Sequence, residues 1–379
     1  MAPRQTRLVV ASFAGLVGAA WLWLARPSSS GRTHTYYIAA DEVVWDYAPS
    51  GTNRITGKPF EGFARELVES RADRLGRVYK KAIYREYTDS TFATLKPRPP
   101  DWEHLGILGP LLRAEVGDTI VVIFRNHSTQ PSSMHPHGVF YLKDSEGAPY
   151  MDGASTADQA DDGVPPGGTH TYRWPVPPRA GPAPGEGSSV LWMYHSHVHE
   201  TADVNAGLIG PIIVTAAGAS RPDGTPKDVD RELVVMFAEM DENTSRYFEE
   251  NVQRYAKDPA KVPRNASFAD LFYLSNLKES INGFIYGHAR GLTMQQGERV
   301  RWYIMSSTNF EIHAAHWHGQ TVIAHHMRTD VLNLGAMDMA IADMVPDNPG
   351  VWLFHCHVAP HNDAGMQALF TVAARTATR

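Results

Sequence analysis

The sequence predicts an all-β protein built from two tandem Greek-key β-sandwich domains, and three observations support this prediction. The chain contains 31 glycines and 26 prolines, many of which punctuate short apolar runs as turns punctuate strands. Apolar residues alternate with polar or amphipathic ones in candidate strands such as residues 299–304. A set of motifs occurs twice in the same order, which divides the chain into two halves, each about the size of one sandwich.

The first segment along the chain is apolar and lies at the amino terminus. Residues 8–25 contain no charge, and they follow Arg4 and Arg7. This run is long for a signal peptide and just long enough to span a membrane. We therefore expect residues 1–34 to form a signal peptide or an N-terminal membrane anchor with a linker, and we favour the anchor because no small-X-small cleavage site follows. The preceding positive charges predict export of the rest, to the periplasm or the extracellular space.

The remaining chain is expected to form two domains, residues 35–216 and residues 217–379. The boundary falls in a polar stretch rich in turn-forming residues, at positions 216–227. Residues 63–75 and 246–256 have the patterns of short helices, and the first of these is expected to lie outside the sandwich core.

The only cysteine of the chain carries the strongest functional signal. Cys356 lies between His355 and His357 and is followed by His361 and Met366. A mononuclear blue-copper centre needs two imidazoles, one thiolate and usually a distant thioether, and three of these four ligands are present here. Because alternate side chains of a strand project to opposite faces, the two flanking histidines cannot bind the same ion as the cysteine. They predict a second metal centre connected to the first through the backbone, which is an arrangement for electron transfer.

Three further His-X-His elements support a second centre. Each places two imidazoles on one face of a strand, and they are His135-Pro136-His137, His195-Ser196-His197 and His316-Trp317-His318. His313, three residues before the last pair, completes the blue-copper set. One such element alone would be weak evidence for a metal site, whereas four of them, one enclosing the only cysteine, are strong evidence.

The two copies of the repeat differ at the positions of the blue-copper ligands. The second half has His313, Cys356, His361 and Met366, and the first half has Ser132, Ser196, Thr201 and Leu208 at the matching places. The first half lacks both the thiolate and the imidazoles. We therefore expect no blue-copper centre in it.

These four motifs, in this order, resemble the copper-binding motifs of the multicopper oxidases, whose domains are cupredoxin-like. The resemblance implies that the type 1 copper ligands are His313, Cys356, His361 and Met366. It implies type 2 copper ligands at His135 and His316, and type 3 ligands at His137, His195, His197, His318, His355 and His357. Together the type 2 and type 3 coppers would form a trinuclear cluster that reduces dioxygen to water, which gives four coppers per subunit. Proline at 136 and alanine at 314 depart from the usual motifs without changing a ligand.

Beyond the motifs, nearly the whole chain after residue 34 resembles the ceruloplasmin and hephaestin branch of this family. Segments that carry the likeness include residues 36–47, 78–84, 207–211, 240–243 and 281–283. Ceruloplasmin has six domains in a ring and places its cluster between the first and last of them, whereas this chain has room for two. The resemblance thus implies a homotrimer with clusters between subunits, and a monomer with an internal cluster is the alternative.

The electron donor is less well defined by the resemblance. Ceruloplasmin-like iron sites use acids and a histidine beside the type 1 copper, where this chain has Pro360, Leu274 and Glu279. Only Glu279 keeps acidic character. We therefore expect laccase-like oxidation of phenols or aromatic amines, as in two-domain small laccases, and oxidation of Fe(II) or Cu(I) is the alternative. Asp152 resembles an acid that relays protons to the cluster, although an exposed Asp-Gly turn is an equal interpretation.

Other classes of protein fit the sequence less well. The net charge of −6 argues against nucleic acid as a partner. A copper nitrite reductase would carry its blue copper in the first domain, where Ser196 stands. A non-catalytic copper carrier would not need a complete type 1 ligand set connected to a complete cluster. The remaining histidines, including His104, match no copper motif and are expected at the surface; His325 and His326 follow the third motif and could lie near the type 1 site.

Overall fold

The computed structural model describes residues 31–307 and 312–375. The apolar segment at residues 8–25 therefore lies outside the described residues. Among the residues that are described, no helix is long and apolar enough to span a membrane.

The first half of the chain forms two four-stranded sheets. Its strands are β1 (Thr33–Asp46), β2 (Val78–Tyr87), β3 (Leu112–Glu115), β4 (Thr119–Asn126), β5 (His135–Pro136), β6 (Thr169–Pro175), β7 (Ser189–His195) and β8 (Ile209–Thr215). One sheet has the order β2-β1-β4-β6 and the other β3-β8-β7-β5. The helices of this half are α1 (Gly62–Val68) and α2 (Glu200–Ala206).

The second half forms two larger sheets. Its strands are β9 (Arg231–Asp241), β10 (Leu277–Ile281), β11 (Thr293–Gln295), β12 (Val300–Ser306), β13 (His313–Trp317), β14 (Val322–Ala324), β15 (Met327–Thr329), β16 (Val331–Leu334), β17 (Met339–Met344), β18 (Gly350–Cys356) and β19 (Gln367–Ala373). The sheet orders are β10-β9-β12-β17-β14-β15 and β11-β19-β18-β13-β16. The helices are α3 (Phe248–Tyr255), α4 (Leu271–Ser275) and α5 (Ala359–Asp363).

The predicted fold class is confirmed, because strands dominate and each half packs two sheets around an apolar core. In β4, Ile120, Val122 and Phe124 are fully buried in the core of the first half. In β12, Trp302 and Ile304 are fully buried in the core of the second half. Alternate residues of a strand share one face, so the alternation in the sequence is what directs these side chains inward.

A third apolar core joins the two halves. It includes Ile83 and Met193 from the first half and Val234 and Met305 from the second, all of them buried. Within this interface, Lys81 of β2 forms a fully buried ion pair with Glu242. Burying the apolar side chains of this core stabilises one arrangement of the two halves, which fixes where their functional surfaces lie.

Two expectations about secondary structure and burial are wrong. The helix expected at residues 63–75 ends at Val68, because Arg71 and Arg74 both pair with Glu66 and form a tight turn in which the N–H of Arg71 donates to the carbonyl of Arg74 at 3.0 Å. His104, expected at the surface, is completely buried between the halves. Its Nε2 accepts a hydrogen bond from the backbone N–H of Val234 at 3.0 Å.

Candidate metal centres

The first candidate centre lies in the second half, where β13 begins and β18 ends. The sulfur of Cys356 is 3.9 Å from Nδ1 of His313 and 3.6 Å from Nδ1 of His361, which lies in α5. Three atoms at such separations can surround one ion at roughly 2.1 Å, which agrees with nitrogen and sulfur bond lengths in metal sites. The structure thus brings together the thiolate and the two imidazoles expected of a type 1 copper.

The environment of this centre suits a soft metal. Burial, with the neighbouring His361, lowers the pKa of His313 to about 3, so this imidazole is neutral and able to act as a ligand at physiological pH. The backbone N–H of Ala314 points at the Cys356 sulfur at 3.3 Å, a contact that stabilises a thiolate. Met366 is fully buried, and its carbonyl accepts a hydrogen bond from the N–H of Cys356 at 3.1 Å. The residue expected to supply the axial thioether is therefore joined to Cys356 through the backbone and shares its apolar core.

A group of four imidazoles, which we call the first half-site, lies at one edge of the first half. It consists of His135, His137, His195 and His197. In the register of β5 and β7, His135 lies opposite His195. The Nε2 atoms of His137 and His195 are 3.1 Å apart, and burial lowers the pKa of His137 to about 4 and that of His195 to about 3. These rings are neutral and close enough to share a metal centre.

A matching group, the second half-site, lies in the second half. It consists of His316, His318, His355 and His357. In the register of β13 and β18, His316 lies opposite His355, and the Nε2 atoms of His318 and His355 are again 3.1 Å apart. Cys356 projects from the other face of β18 into the apolar core. The alternation expected along residues 355–357 is therefore present, and it connects the two kinds of centre covalently.

The same hydrogen-bond pattern orients the rings in both half-sites. Nδ1 of His135 donates to the carbonyl of Glu146 at 2.6 Å, and Nδ1 of His316 donates to that of Asp330 at 2.9 Å. Nδ1 of His355 likewise meets the carbonyl of Cys356 at 2.8 Å. A backbone acceptor on Nδ1 fixes the tautomer and leaves Nε2 as the metal donor, as is usual for ligating histidines.

The two half-sites do not meet within one chain. Across residues 31–307 and 312–375, every ring contact between two of these histidines falls within one half-site or the other, and the groups close enough to hold an ion are likewise separate. Each half-site is partly open to solvent, since His137 and His318 are half-buried and His357 is exposed. A centre that needs eight imidazoles is thus only half complete on each surface.

A guanidinium fills the place in the first half that corresponds to the blue-copper centre. Arg246, which belongs to the second half, donates from Nη1 to the Ser132 hydroxyl at 3.0 Å and forms an ion pair with Asp203 at 3.1 Å. Asp203 in turn accepts a hydrogen bond from the hydroxyl of Ser196 at 2.6 Å. Ser132 and Ser196 are the positions of His313 and Cys356 in the repeat, so a fixed organic cation stands where the second half would hold a metal ion.

The structure places Asp152 in an exposed turn, where it forms an ion pair with Lys143 at 2.8 Å. This contact lowers the pKa of the Asp152 carboxyl. The same lysine reaches the side chain of Glu146 at 2.6 Å, and the carbonyl of Glu146 accepts the hydrogen bond from His135. Asp152 is therefore linked to the first half-site through two neighbours and does not touch it.

Glu279 lies on β10, close enough to Cys356 that its charge contributes to raising the pKa of that thiol, after the larger effect of burial. Directly opposite it on β9 is Glu239, and the two side chains are 5% and 7% exposed. The sequence pattern did not single out Glu239, because its position opposite Glu279 depends on the register between two strands that are separated by some forty residues. That register could have been proposed only by aligning β9 and β10 as neighbours.

Solved structures with the same architecture include a multicopper oxidase named mgLAC and a copper nitrite reductase from Nitrosomonas europaea. The first superposes with a TM-score of 0.58 at 18% identity and covers 90% of this chain and 86% of that one. The second gives a TM-score of 0.56 at 17% identity and covers 90% and 94%. Both likenesses show the paired cupredoxin-like fold.

The family follows from the sequence models. A multicopper oxidase model matches residues 105–218, and a second multicopper oxidase model matches residues 259–376. This chain belongs to the multicopper oxidase family, whose members are copper-dependent oxidoreductases that use dioxygen.

Among curated proteins, the chain is similar to three large human relatives. It is 43% identical to Ferroxidase HEPHL1, over 90% of this chain and 29% of that protein. It is 41% identical to hephaestin, over 91% and 30%, and 38% identical to ceruloplasmin, over 93% and 32%. The chain thus spans about a third of the length of the relatives that it matches.

Proposed function

We propose that this protein oxidises ferrous iron one electron at a time at a type 1 copper centre and reduces dioxygen to water at a trinuclear copper cluster. The observation that carries the proposal is the covalent connection between the His313–Cys356–His361 set and the second half-site through residues 355–357. Bound copper would supply the one-electron redox chemistry at both places. The donor sets fit copper, since they consist of thiolate and imidazole ligands.

Residues of this chain determine where a donor arrives, how its electron reaches the second half-site and how protons are delivered. His361 and His313 belong to the buried set. Ile312, which precedes His313 in the chain, is exposed, and a donor is proposed to arrive on this side of the set. Cys356 gives an unbroken covalent path from that set to His355 and His357. Asp152, linked to the first half-site through Lys143 and Glu146, is proposed to pass protons towards it.

Ferrous iron is favoured as the donor by two observations. Carboxylates are the ligands that hard cations prefer. Glu279 lies near enough to Cys356 to influence its thiol, and Glu239 lies opposite Glu279 on the adjacent strand. The name of Ferroxidase HEPHL1 points the same way. These findings favour metal oxidation over the laccase-like activity that the sequence analysis ranked first.

Laccase-like oxidation of phenols remains the second candidate because of one feature. The side chain of Ile312, the residue before His313, is 65% exposed. An exposed apolar residue beside a type 1 imidazole offers a surface for an aromatic donor.

Replacing Glu239 and Glu279 distinguishes oxidation of iron from laccase-like oxidation of phenols. In Glu239→Gln/Glu279→Gln, iron-dependent dioxygen uptake should fall by at least about tenfold, because neutral amides hold a hard cation poorly. Uptake with a dimethoxyphenol should stay within about twofold of the wild type and serves as the control for an intact copper centre. Equal loss with both donors would mean that the pair supports the fold, and no loss with iron would remove these residues from the iron site.

We also propose that three copies assemble head to tail, so that the first half-site of one copy faces the second half-site of the next. The proposal is supported by the separation of the two half-sites within one chain and by their openness to solvent. Three two-domain chains would give a closed ring of six domains, which a head-to-tail contact forms if its rotation closes. Separately, we propose that the protein lies outside the cytoplasm, with or without a membrane anchor, because of the positive charges and the apolar run within residues 1–34.

A further inference from the structure

The segment that follows His137 lies against the first half-site. We call residues 139–152 the first-half-site loop. Within it, the carbonyl of Glu146 accepts the hydrogen bond from Nδ1 of His135 at 2.6 Å. The ring of Tyr141 lies edge-on to the ring of His135, with 5.7 Å between their centroids. The loop therefore borders the imidazoles of this half-site.

The first-half-site loop exposes apolar side chains to solvent. Leu142 is 65% exposed, Tyr150 is 53% exposed and Met151 is fully exposed. A single apolar side chain at a surface is ordinary, whereas several apolar side chains grouped on one surface mark a site of interaction. The position of these three relative to one another therefore decides what they mean.

The side chain of Lys143 connects the parts of the loop that carry them. Its ammonium lies over the ring of Tyr150, 4.5 Å from the centroid, and forms an ion pair with Asp152 at 2.8 Å. Lys143 follows Leu142 directly in the chain. Tyr150 and Asp152 are the two neighbours of Met151. The exposed apolar side chains thus belong to one surface, which we call the loop patch: Leu142, Tyr150 and Met151.

The charged groups beside the loop patch pair with one another. Lys143 forms a second ion pair with Glu146, at 2.6 Å. The hydroxyl of Tyr150 donates to the carboxylate of Glu146 at 2.9 Å. Because these charges already have partners within the loop, a molecule that covers the patch is stabilised there through apolar surface.

The incomplete half-site identifies what covers the loop patch. The first half-site offers four imidazoles, and the trinuclear cluster needs four more, which the second half-site carries. The two half-sites do not meet within the described parts of one chain. A second copy therefore has to bring its second half-site to the first one, and the loop that borders His135 then lies next to that copy.

We propose that the loop patch is the docking surface for the second half of a neighbouring copy. The inference rests on the head-to-tail assembly proposed above, and it adds the side chains that hold the copies together. Burial of Leu142 and Met151 against the neighbour stabilises the assembly, and the same contact brings the two half-sites together.

Sedimentation analysis of the copper-loaded full chain tests this docking surface. The wild type should sediment as three chains. Leu142→Asp/Met151→Asp places two carboxylates without partners in the interface, so the dissociation constant of the trimer should rise by at least about tenfold. Copper content should fall from about four ions per chain to about one, because only the type 1 centre lies within one chain. Retained blue absorption and an unchanged unfolding temperature show that the variant is folded.

Two control variants show whether the effect is specific to the apolar patch. Leu142→Met/Met151→Leu keeps the patch apolar at similar volume and should assemble as the wild type does. Val44→Asp introduces a carboxylate at another exposed apolar position, on β1. The sheet of β1 has the order β2-β1-β4-β6 and does not contain β5 or β7, which carry the first half-site. This variant should also assemble normally.

The possible outcomes distinguish the docking surface from the assembly on which it rests. A monomeric wild type would overturn the head-to-tail assembly and the docking surface with it. A trimeric wild type whose Leu142→Asp/Met151→Asp variant stays fully trimeric would overturn the docking surface alone. Equal dissociation of Val44→Asp would also overturn the docking surface, since the effect would then not depend on the loop patch.

Discussion

The guanidinium of Arg246 lies 3.1 Å from the carboxylate of Asp203, and both side chains are almost completely buried. Arg246 comes from the second half of the chain and Asp203 from the first. The pair stands where the first half, by the internal repeat, would otherwise hold a blue-copper centre. The position that corresponds to the blue-copper site of the second half is thus occupied by an ionic link between the two halves.

Removing one partner of this ion pair should destabilise the folded protein. In Arg246→Met, Asp203 is left as a buried carboxylate without its cation, and we expect the free energy of unfolding to fall by about 3–5 kcal/mol. In Arg246→Met/Asp203→Leu the buried charge is removed as well, and most of the stability should return. Urea denaturation of the two variants and the wild type measures this. A double variant as unstable as the single one would show that the ion pair is not the origin of the loss.

Replacing Cys356 tests the type 1 centre. In Cys356→Ser the thiolate is lost, so the blue absorption should disappear and the copper content should fall by about one ion per chain. The matched variant Ser196→Ala changes the equivalent position of the first half and should leave the blue absorption intact. Optical spectroscopy with metal analysis distinguishes the two. Blue absorption in Cys356→Ser would contradict the assignment.

Complementation tests whether the cluster is shared between copies. His135→Ala/His195→Ala disables the first half-site, and His316→Ala/His355→Ala disables the second, so each variant alone should consume no dioxygen. In mixed head-to-tail trimers, about a quarter of the interfaces join two intact half-sites, and activity should return to about that fraction of the wild type. The measurement is dioxygen uptake after co-expression. A cluster contained within one chain predicts no recovery at all.

His104 predicts a pH dependence of stability. Burial lowers the pKa of this imidazole to about 4, whereas an unfolded histidine titrates near 6.5. Between these values the unfolded state binds more protons than the folded state, so stability is complete above about pH 6.5 and falls as the pH drops towards 4. The loss should reach about 3 kcal/mol.

The matched variant for this prediction is His104→Gln, which does not titrate. Other buried histidines, such as His195, also titrate in acid, so the difference between variant and wild type is the informative quantity. The free energy of unfolding is measured from pH 4 to pH 7. Parallel curves for the two proteins would show that His104 does not carry the effect.

The sequence singled out side chains that the structure brings together, because these side chains are close in the chain. Residues 355–357 and His361 lie within a few positions of one another, and the two-residue period of a strand decides which of them share a face. The features that it did not predict depend on distant partners. Glu239 faces Glu279 through a strand register, His104 is buried by β9, and Arg246 enters the first half from the second. No local periodicity encodes such contacts.

The expected helix at residues 63–75 fails for a related reason. Its pattern continues beyond Val68, but Glu66 attracts Arg71 and Arg74 into a turn. Local propensity is a weak prior that a few specific contacts override.

The most direct test of the account is dioxygen uptake by the copper-loaded full chain with either ferrous iron or a dimethoxyphenol at equal concentration, in mildly acidic buffer that slows spontaneous oxidation of iron. We predict faster uptake with iron, because Glu279 lies near enough to Cys356 to influence its thiol and Glu239 lies opposite Glu279. Faster uptake with the phenol would contradict this account and identify the protein as a laccase.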